Sequence, residues 1–325
     1  MSLALILALA PLALVLLVLI LGWIRTRMLA RRAATLVPQM GQIQPVSGGA
    51  IHYVEAGDPA RQTLVLIHGL AGQLQHFTYA LVDRLSQDHH VIALDRPGCG
   101  YSTRDGAALA KLPEQARMIA EFLDTKGIKD PVLVGHSLGG AIALAMALER
   151  PRKVAGLALI CPLTHHMAGA PAVFRPLEIR NARLRRLIGR TIAVPLANWT
   201  AQQTLREVFA PEDFPEDFLD RAGGALGLRP QAFVTASEDV VGADASIAAQ
   251  AQRYRDLEVP GAILFGAEDA VLLPTQHGVP MKKFGLRCEL LPGRGHMLPI
   301  TAPEECEEFI RGVSISTRVP ATLRS

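Results

Sequence analysis

The chain has 325 residues, half of them hydrophobic, and 33 Lys and Arg against 30 Asp and Glu give a net charge of +3. That length can bury a full α/β core and carry an insertion. So small a charge, without interleaved basic and aromatic residues, argues against a nucleic-acid partner. The four cysteines, at 99, 161, 288 and 306, form no metal-binding spacing, and no phosphate-cradling glycine loop is present, so neither metal nor cofactor is expected.

Taken in chain order, the first predicted element is an uncharged run from Leu3 to Ile24. As a helix it would extend about 33 Å, enough to cross a hydrocarbon core. Trp23 stands at its edge, where an interfacial aromatic sits. A cleaved signal peptide needs a basic start and a shorter apolar core. Here Arg25, Arg27, Arg31 and Arg32 all follow the run, which implies an uncleaved single-pass anchor with the remainder on the cytoplasmic side. Residues 1–34 are therefore expected to be the anchor with its basic flank, and 35–50, with Pro38, Pro45 and glycines, a linker.

Thr63 to Ile67 is a continuous apolar strand, followed by the loop His68-Gly69-Leu70-Ala71-Gly72. A second strand, Val91 to Leu94, leads into the turn Asp95-Arg96-Pro97-Gly98-Cys99-Gly100-Tyr101-Ser102. The apolar run Pro131 to Val134 then enters Gly135-His136-Ser137-Leu138-Gly139, a G-x-S-x-G motif ahead of a helical stretch from Gly140 to Arg150. In that context the serine sits on a sharp strand-to-helix turn with its hydroxyl exposed. After the strand Val154–Cys161, about a hundred residues precede the next one, and the excess predicts an inserted cap over 163–246. Within it, Arg175, Arg180, Arg183, Arg185, Arg186 and Arg190 surround Leu177, Leu184, Leu187 and Ile188. Such a basic amphipathic helix either packs on the core with a solvated arginine face or lies on an anionic bilayer.

The strand Gly261–Gly266 runs into Glu268 and Asp269, and the strand Arg287–Leu291 into Pro292-Gly293-Arg294-Gly295-His296, ahead of a helix beginning at Pro303. A serine, an acid and a histidine thus follow one another at strand ends, where open α/β sheets build their sites. Glu268 competes with Asp269 as the acid, and His277 with His296 as the base; position and Gly-rich flanks favour Asp269 and His296. His68, His136, His165 and His166 are expected to be structural or loop residues. The core is assigned to 51–162 and 247–313, and 314–325 to a disordered tail.

The elbow, the two following partners, the His68-Gly69 loop and the Asp95–Ser102 turn together resemble the α/β-hydrolase superfamily, over roughly four-fifths of the chain. The likeness is to its serine branch, because the epoxide-hydrolase and dehalogenase branch carries a carboxylate where this chain has Ser137. The resemblance implies an α/β-hydrolase fold, a mostly parallel sheet flanked by helices, with Ser137, Asp269 and His296 as catalytic triad. It implies an oxyanion hole from the backbone amides of Leu70 and Leu138. The layout is similar to that of membrane-anchored monoacylglycerol lipases. The expected activity is hydrolysis of a carboxylic ester, with an apolar or lipid-like acyl chain, through an acyl-enzyme. Thioesterase, amidase or peptidase, and cofactor-free perhydrolase chemistry use the same triad. A non-catalytic binding module is the reading from another class.

Overall fold

Unbroken apolar runs become strands buried on both faces, and these form the middle of one sheet. The structure, a computed structural model, describes residues 3–318. Its strands are β1 (Gln42–Val46), β2 (Gly49–Ala56), β3 (Thr63–Ile67), β4 (His90–Leu94), β5 (Thr103–Arg104), β6 (Val132–His136), β7 (Gly156–Ile160), β8 (Gly261–Gly266) and β9 (Arg287–Leu291). They lie in the order β1-β2-β4-β3-β6-β7-β8-β9, with β5 paired to β2. From β4 to β9 every pairing is parallel, while β1, β2 and β5 pair antiparallel. Strands β3, β4, β6 and β7 are buried at every position, as parallel strands covered on both faces must be. Strand order reverses around β3 and β6, which opens a crevice at their C-terminal ends.

The longer helices are α1 (Leu3–Leu36), α2 (Leu112–Thr125), α3 (Leu138–Glu149), α4 (Ala182–Thr191), α5 (Ala193–Phe209), α6 (Pro230–Gln252) and α7 (Pro303–Arg318). Between β7 and β8, in the segment expected to form a cap, the chain forms α4, α5 and α6, and Asp239, Val240 and Val241 of α6 border the same cavity as Ser137. The boundary expected at residue 246 falls inside α6, which continues to Gln252. The six arginines expected to share one amphipathic surface are divided. Asn181 caps α4 by accepting the N–H groups of Arg183 and Leu184 at 3.0 Å, so Arg175 and Arg180 precede the helix. Arg185 is buried and donates to the Ile179 carbonyl, the Ser237 hydroxyl and Glu238.

Two stretches differ from expectation at the ends of the core. The segment 35–50 is a linker only in part, because Gln42–Val46 pairs with β2 as an edge strand. Pro45 is tolerated there since an edge strand has one unpaired side. The expected tail is helical as far as Arg318, and buried Ser314 bonds His89 Nε2 at 3.0 Å. Residues 319–325 lie outside the described residues.

Helix α1 contains 28 residues, Leu9–Leu36, whose length and composition suit a membrane span. Its two halves behave differently. The side chains from Leu9 to Leu21 are almost all exposed, whereas Thr26, Leu29, Ala33 and Val37 are buried. That spacing of three and four residues is one helical stripe, and it docks on the cap. Thr26 Oγ1 donates to the Thr191 carbonyl at 3.2 Å, Ala33 and Val37 pack with Ala225 and Leu226, and Tyr101 donates to the Val37 carbonyl at 2.6 Å. At Gly22 a Cβ would lie 2.6 Å from the Thr191 carbonyl oxygen, so only glycine permits this approach. Gly22→Leu is expected to destabilise the docking by about 1–3 kcal/mol. In micelles, tryptic cleavage after Arg25 and Arg27 should then quicken; unchanged cleavage would mean that α1 does not rest on the cap.

Candidate active site

Ser137 follows the last residue of β6 and precedes the first of α3, with φ 54° and ψ −120°. A non-glycine residue keeps such a conformation only when its surroundings enforce it. Here the Ser137 N–H donates to the Ile160 carbonyl at 3.0 Å, and its carbonyl accepts from Gly140 and Leu163 at 2.9 and 3.0 Å. The flanking glycines are required by close approach. A Cβ on Gly139 would sit 2.0 Å from the Ile67 carbonyl oxygen, and one on Gly135 would sit 2.6 Å from the Gly140 Cα. Glycine at those two positions therefore lets α3 start directly against β3.

Asp269 lies just past β8 and His296 past β9, both buried. Asp269 Oδ2 meets His296 Nδ1 at 2.7 Å, and Oδ1 accepts the N–H groups of Val271 and Leu272, each at 2.9 Å. The rivals are engaged elsewhere. Glu268 is exposed and accepts the Arg294 N–H at 3.1 Å. Buried His277 accepts the backbone N–H groups of Thr164 and His165 on Nδ1, and burial lowers its pKa to about 4. It is a neutral strut between loops. His136 is also neutral, its pKa pushed well down by burial, and donates from Nε2 to the His296 carbonyl at 3.0 Å.

Leu70 and Leu138 border the same cavity as Ser137. Leu138 opens α3, where the first N–H groups have no partner within the helix. Neither the Leu70 nor the Leu138 N–H has a backbone acceptor among the described residues. The cavity holds about 380 Å³, within the range of small-molecule sites. Its walls are mainly apolar, including Leu163, Met167, Phe174, Val241, Ile247 and Leu272. His165 and His166, expected to be exposed loop residues, line it too. Exposed His166 and Arg180 both bond Asp244, at 3.1 and 2.9 Å.

Three neighbours escaped the sequence reading. Cys161 is a buried free thiol, and its Sγ lies within 4.8 Å of ligand atoms of both Asp269 and His296. Burial, then the Asp269 charge, raise its pKa, so it stays a neutral thiol. The Asp269 carboxylate beside it is already occupied by three N–H donors. The second and third are Arg96 and Asp239, wholly buried and paired at 2.7 Å between core and cap. Arg96 belongs to a turn that the sequence did single out, but its partner lies over a hundred residues away.

Residues 62–303 match the family model described as the alpha/beta hydrolase fold. The chain belongs to the α/β-hydrolase family. Among relatives of this α/β-hydrolase, the (E)-2-((N-methylformamido)methylene)succinate hydrolase of Acinetobacter baylyi is 28% identical over 80% of this chain and 92% of its own length. Lipase 1 of Psychrobacter immobilis is 32% identical over 42% of each chain. The dihydrolipoyllysine-residue acetyltransferase component of the acetoin cleaving system of Cupriavidus necator is 36% identical over 122 residues, and the α/β-hydrolase chain spans only 32% of its length. Among solved structures, an esterase from Thermogutta terrifontis aligns with TM-score 0.68 and 19% identity, over 86% of this chain and all of that one. A membrane phospholipase A aligns with TM-score 0.63 and 24% identity, over 97% of this chain and 98% of its own. These likenesses show the fold of a family with lipase and esterase members.

Proposed function

We propose that the protein is a membrane-anchored serine hydrolase that cleaves carboxylic esters with an apolar acyl chain. The observation that carries this reading is the Asp269–His296 pair at 2.7 Å, tied at the His296 carbonyl to His136, the residue before a strained Ser137 that borders an apolar cavity. Asp269 engages Nδ1 of His296, which leaves Nε2 for the Ser137 hydroxyl. Contacts of that kind are often long without substrate and close on binding. The Ser137 oxygen attacks the ester carbonyl carbon while His296 takes the hydroxyl proton. The carbonyl electrons move onto oxygen, where the Leu70 and Leu138 amides stabilise them. Collapse breaks the acyl–oxygen bond, and His296 returns the proton to the departing alcohol. Water, deprotonated by His296, then releases the acid from the acyl-enzyme.

In the membrane reading, α1 spans the bilayer and exposed Arg25, Arg27, Arg31 and Arg32 lie on the cytoplasmic side. Arg27 stacks on Trp23 at 4.9 Å, an arrangement suited to the interface. The Gly22–Thr191 approach would hold the end of α4 at that depth. Leu184 and Leu187 on α4, and Ile192, Leu196 and Trp199 at and along α5, are exposed beside it, with Trp199 81% exposed. Exposed Arg183, Arg186 and Arg190 flank them. An apolar stripe rimmed by arginines suits an anionic bilayer surface. The alignment with the membrane phospholipase A takes in most of α1, which supports the same reading.

Two measurements follow. The full chain in micelles should hydrolyse a p-nitrophenyl ester series, acetate to palmitate, with its optimum above acetate. Labelling by a fluorophosphonate without ester turnover would move the chemistry to a thioester, amide or other acyl group. Replacing Leu196 and Trp199 by serine should lower turnover of a vesicle-embedded ester about tenfold, the worth of one large apolar side chain, and spare a soluble ester. Equal loss on both would remove the interfacial role of the cap.

A further inference from the structure

Between the candidate oxyanion donor and the cap lies a polar network too deeply buried to be surface decoration. Leu70 N–H shares its peptide unit with the Gly69 carbonyl. That unit is planar and trans, so N–H and C=O point in opposite directions. Whatever holds the Gly69 carbonyl therefore aims the Leu70 N–H. The Gly69 oxygen accepts from Arg96 Nη2 at 3.0 Å, from His68 Nδ1 at 2.9 Å and, at a longer 3.3 Å, from the Gly72 N–H. Arg96 Nε donates to the preceding carbonyl, that of His68, at 3.0 Å, and the Arg96 backbone N–H donates to His68 Nε2 at 2.9 Å. His68 is neutral because burial, then the Arg96 charge, lower its pKa, which leaves Nδ1 as donor and Nε2 as acceptor.

The other side of the guanidinium faces the cap. Arg96 Nη1 donates to Gln115 Oε1 on α2 at 2.8 Å and to Asp239 Oδ2 on α6 at 2.7 Å. Asp239 Oδ1 accepts from Arg104 at 2.6 Å. Arg96 and Asp239 are wholly buried, and Asp239 also borders the cavity.

We infer that Arg96 is a positioning residue for the oxyanion hole, and that Asp239 ties its setting to the seat of the cap. The inference rests on the serine-hydrolase reading. Arg96 touches no reacting atom; it orients and polarises the Gly69–Leu70 peptide, and a polarised peptide makes a stronger N–H donor. Because one guanidinium binds both the loop and α6, a shift of the cap reaches the Leu70 N–H through two hydrogen bonds. A strut that only joined cap to core would affect stability and substrate binding, not the transition state.

The test uses the full chain in micelles, with Arg96→Lys and the nearly isosteric Asp239→Asn. Lysine keeps the charge but lacks the planar fork that spans two carbonyls. We expect kcat on a soluble ester to fall about tenfold or more for Arg96→Lys, with KM within about twofold. Affinity for a trifluoromethyl ketone, which adds to a serine as a hemiketal oxyanion, should fall by the same factor. Asp239→Asn should show a smaller loss of the same kind, and it decides the matter alone if Arg96→Lys does not fold. Unchanged kcat and ketone affinity, or a loss confined to KM or Tm, would overturn the inference. A wild-type protein that leaves Ser137 unlabelled by a fluorophosphonate would instead overturn the serine-hydrolase reading, and the inference with it.

Discussion

Replacing Ser137 with alanine should lower kcat for p-nitrophenyl butyrate by about a millionfold, the scale seen when a nucleophile that acts with its base as a unit is removed. The reason is geometric. The position is held at φ 54° by hydrogen bonds through its backbone, to Ile160, Gly140 and Leu163, so alanine should adopt the same turn and leave the cavity intact. The variant should keep the melting temperature of the parent. Residual turnover above about one per cent would place the nucleophile elsewhere, because an oxyanion hole acting alone supplies far less.

Asp269→Asn should cost about ten-thousandfold in kcat, for a reason the hydrogen bonds make specific. Two donors, the N–H groups of Val271 and Leu272, fix one carboxylate oxygen as an acceptor. An asparagine must turn its carbonyl oxygen to them and its NH2 to His296 Nδ1. That NH2 is a donor, so Nδ1 becomes the acceptor and the ring proton moves to Nε2. A histidine protonated at Nε2 cannot take the Ser137 proton. Stopped-flow acylation of the variant should be slow while substrate binding persists. A loss below about tenfold would mean that His296 does not depend on Asp269 for its tautomer.

The middle of the fold was legible because burial on both faces leaves an unambiguous mark. Thr63–Ile67 and Gly261–Gly266 are strands over the ranges their apolar runs predict. The elbow was legible because its glycines are dictated by atoms close in sequence and by the adjoining strand. Elements governed by distant partners were not. Strand β1 carries Pro45 and polar residues, and becomes a strand only because β2 pairs with it. The stripe Thr26, Leu29, Ala33, Val37 mixes with the apolar anchor, so its period is hidden until α1 meets the cap. Arg185 reads like its neighbouring arginines until Ser237 and Glu238 come beside it. The Arg96–Asp239 pair spans too much sequence for any local pattern to join its members.

The central claim is that Ser137 is an activated nucleophile. Fluorophosphonate treatment of the full-length protein in micelles, followed by peptide mapping by mass spectrometry, tests it most directly. A single phosphonyl adduct on Ser137, lost in His296→Ala, is the predicted result, because only a serine with a working base reacts at a useful rate. An intact, folded protein with no adduct, or with the adduct on another residue, would contradict the account.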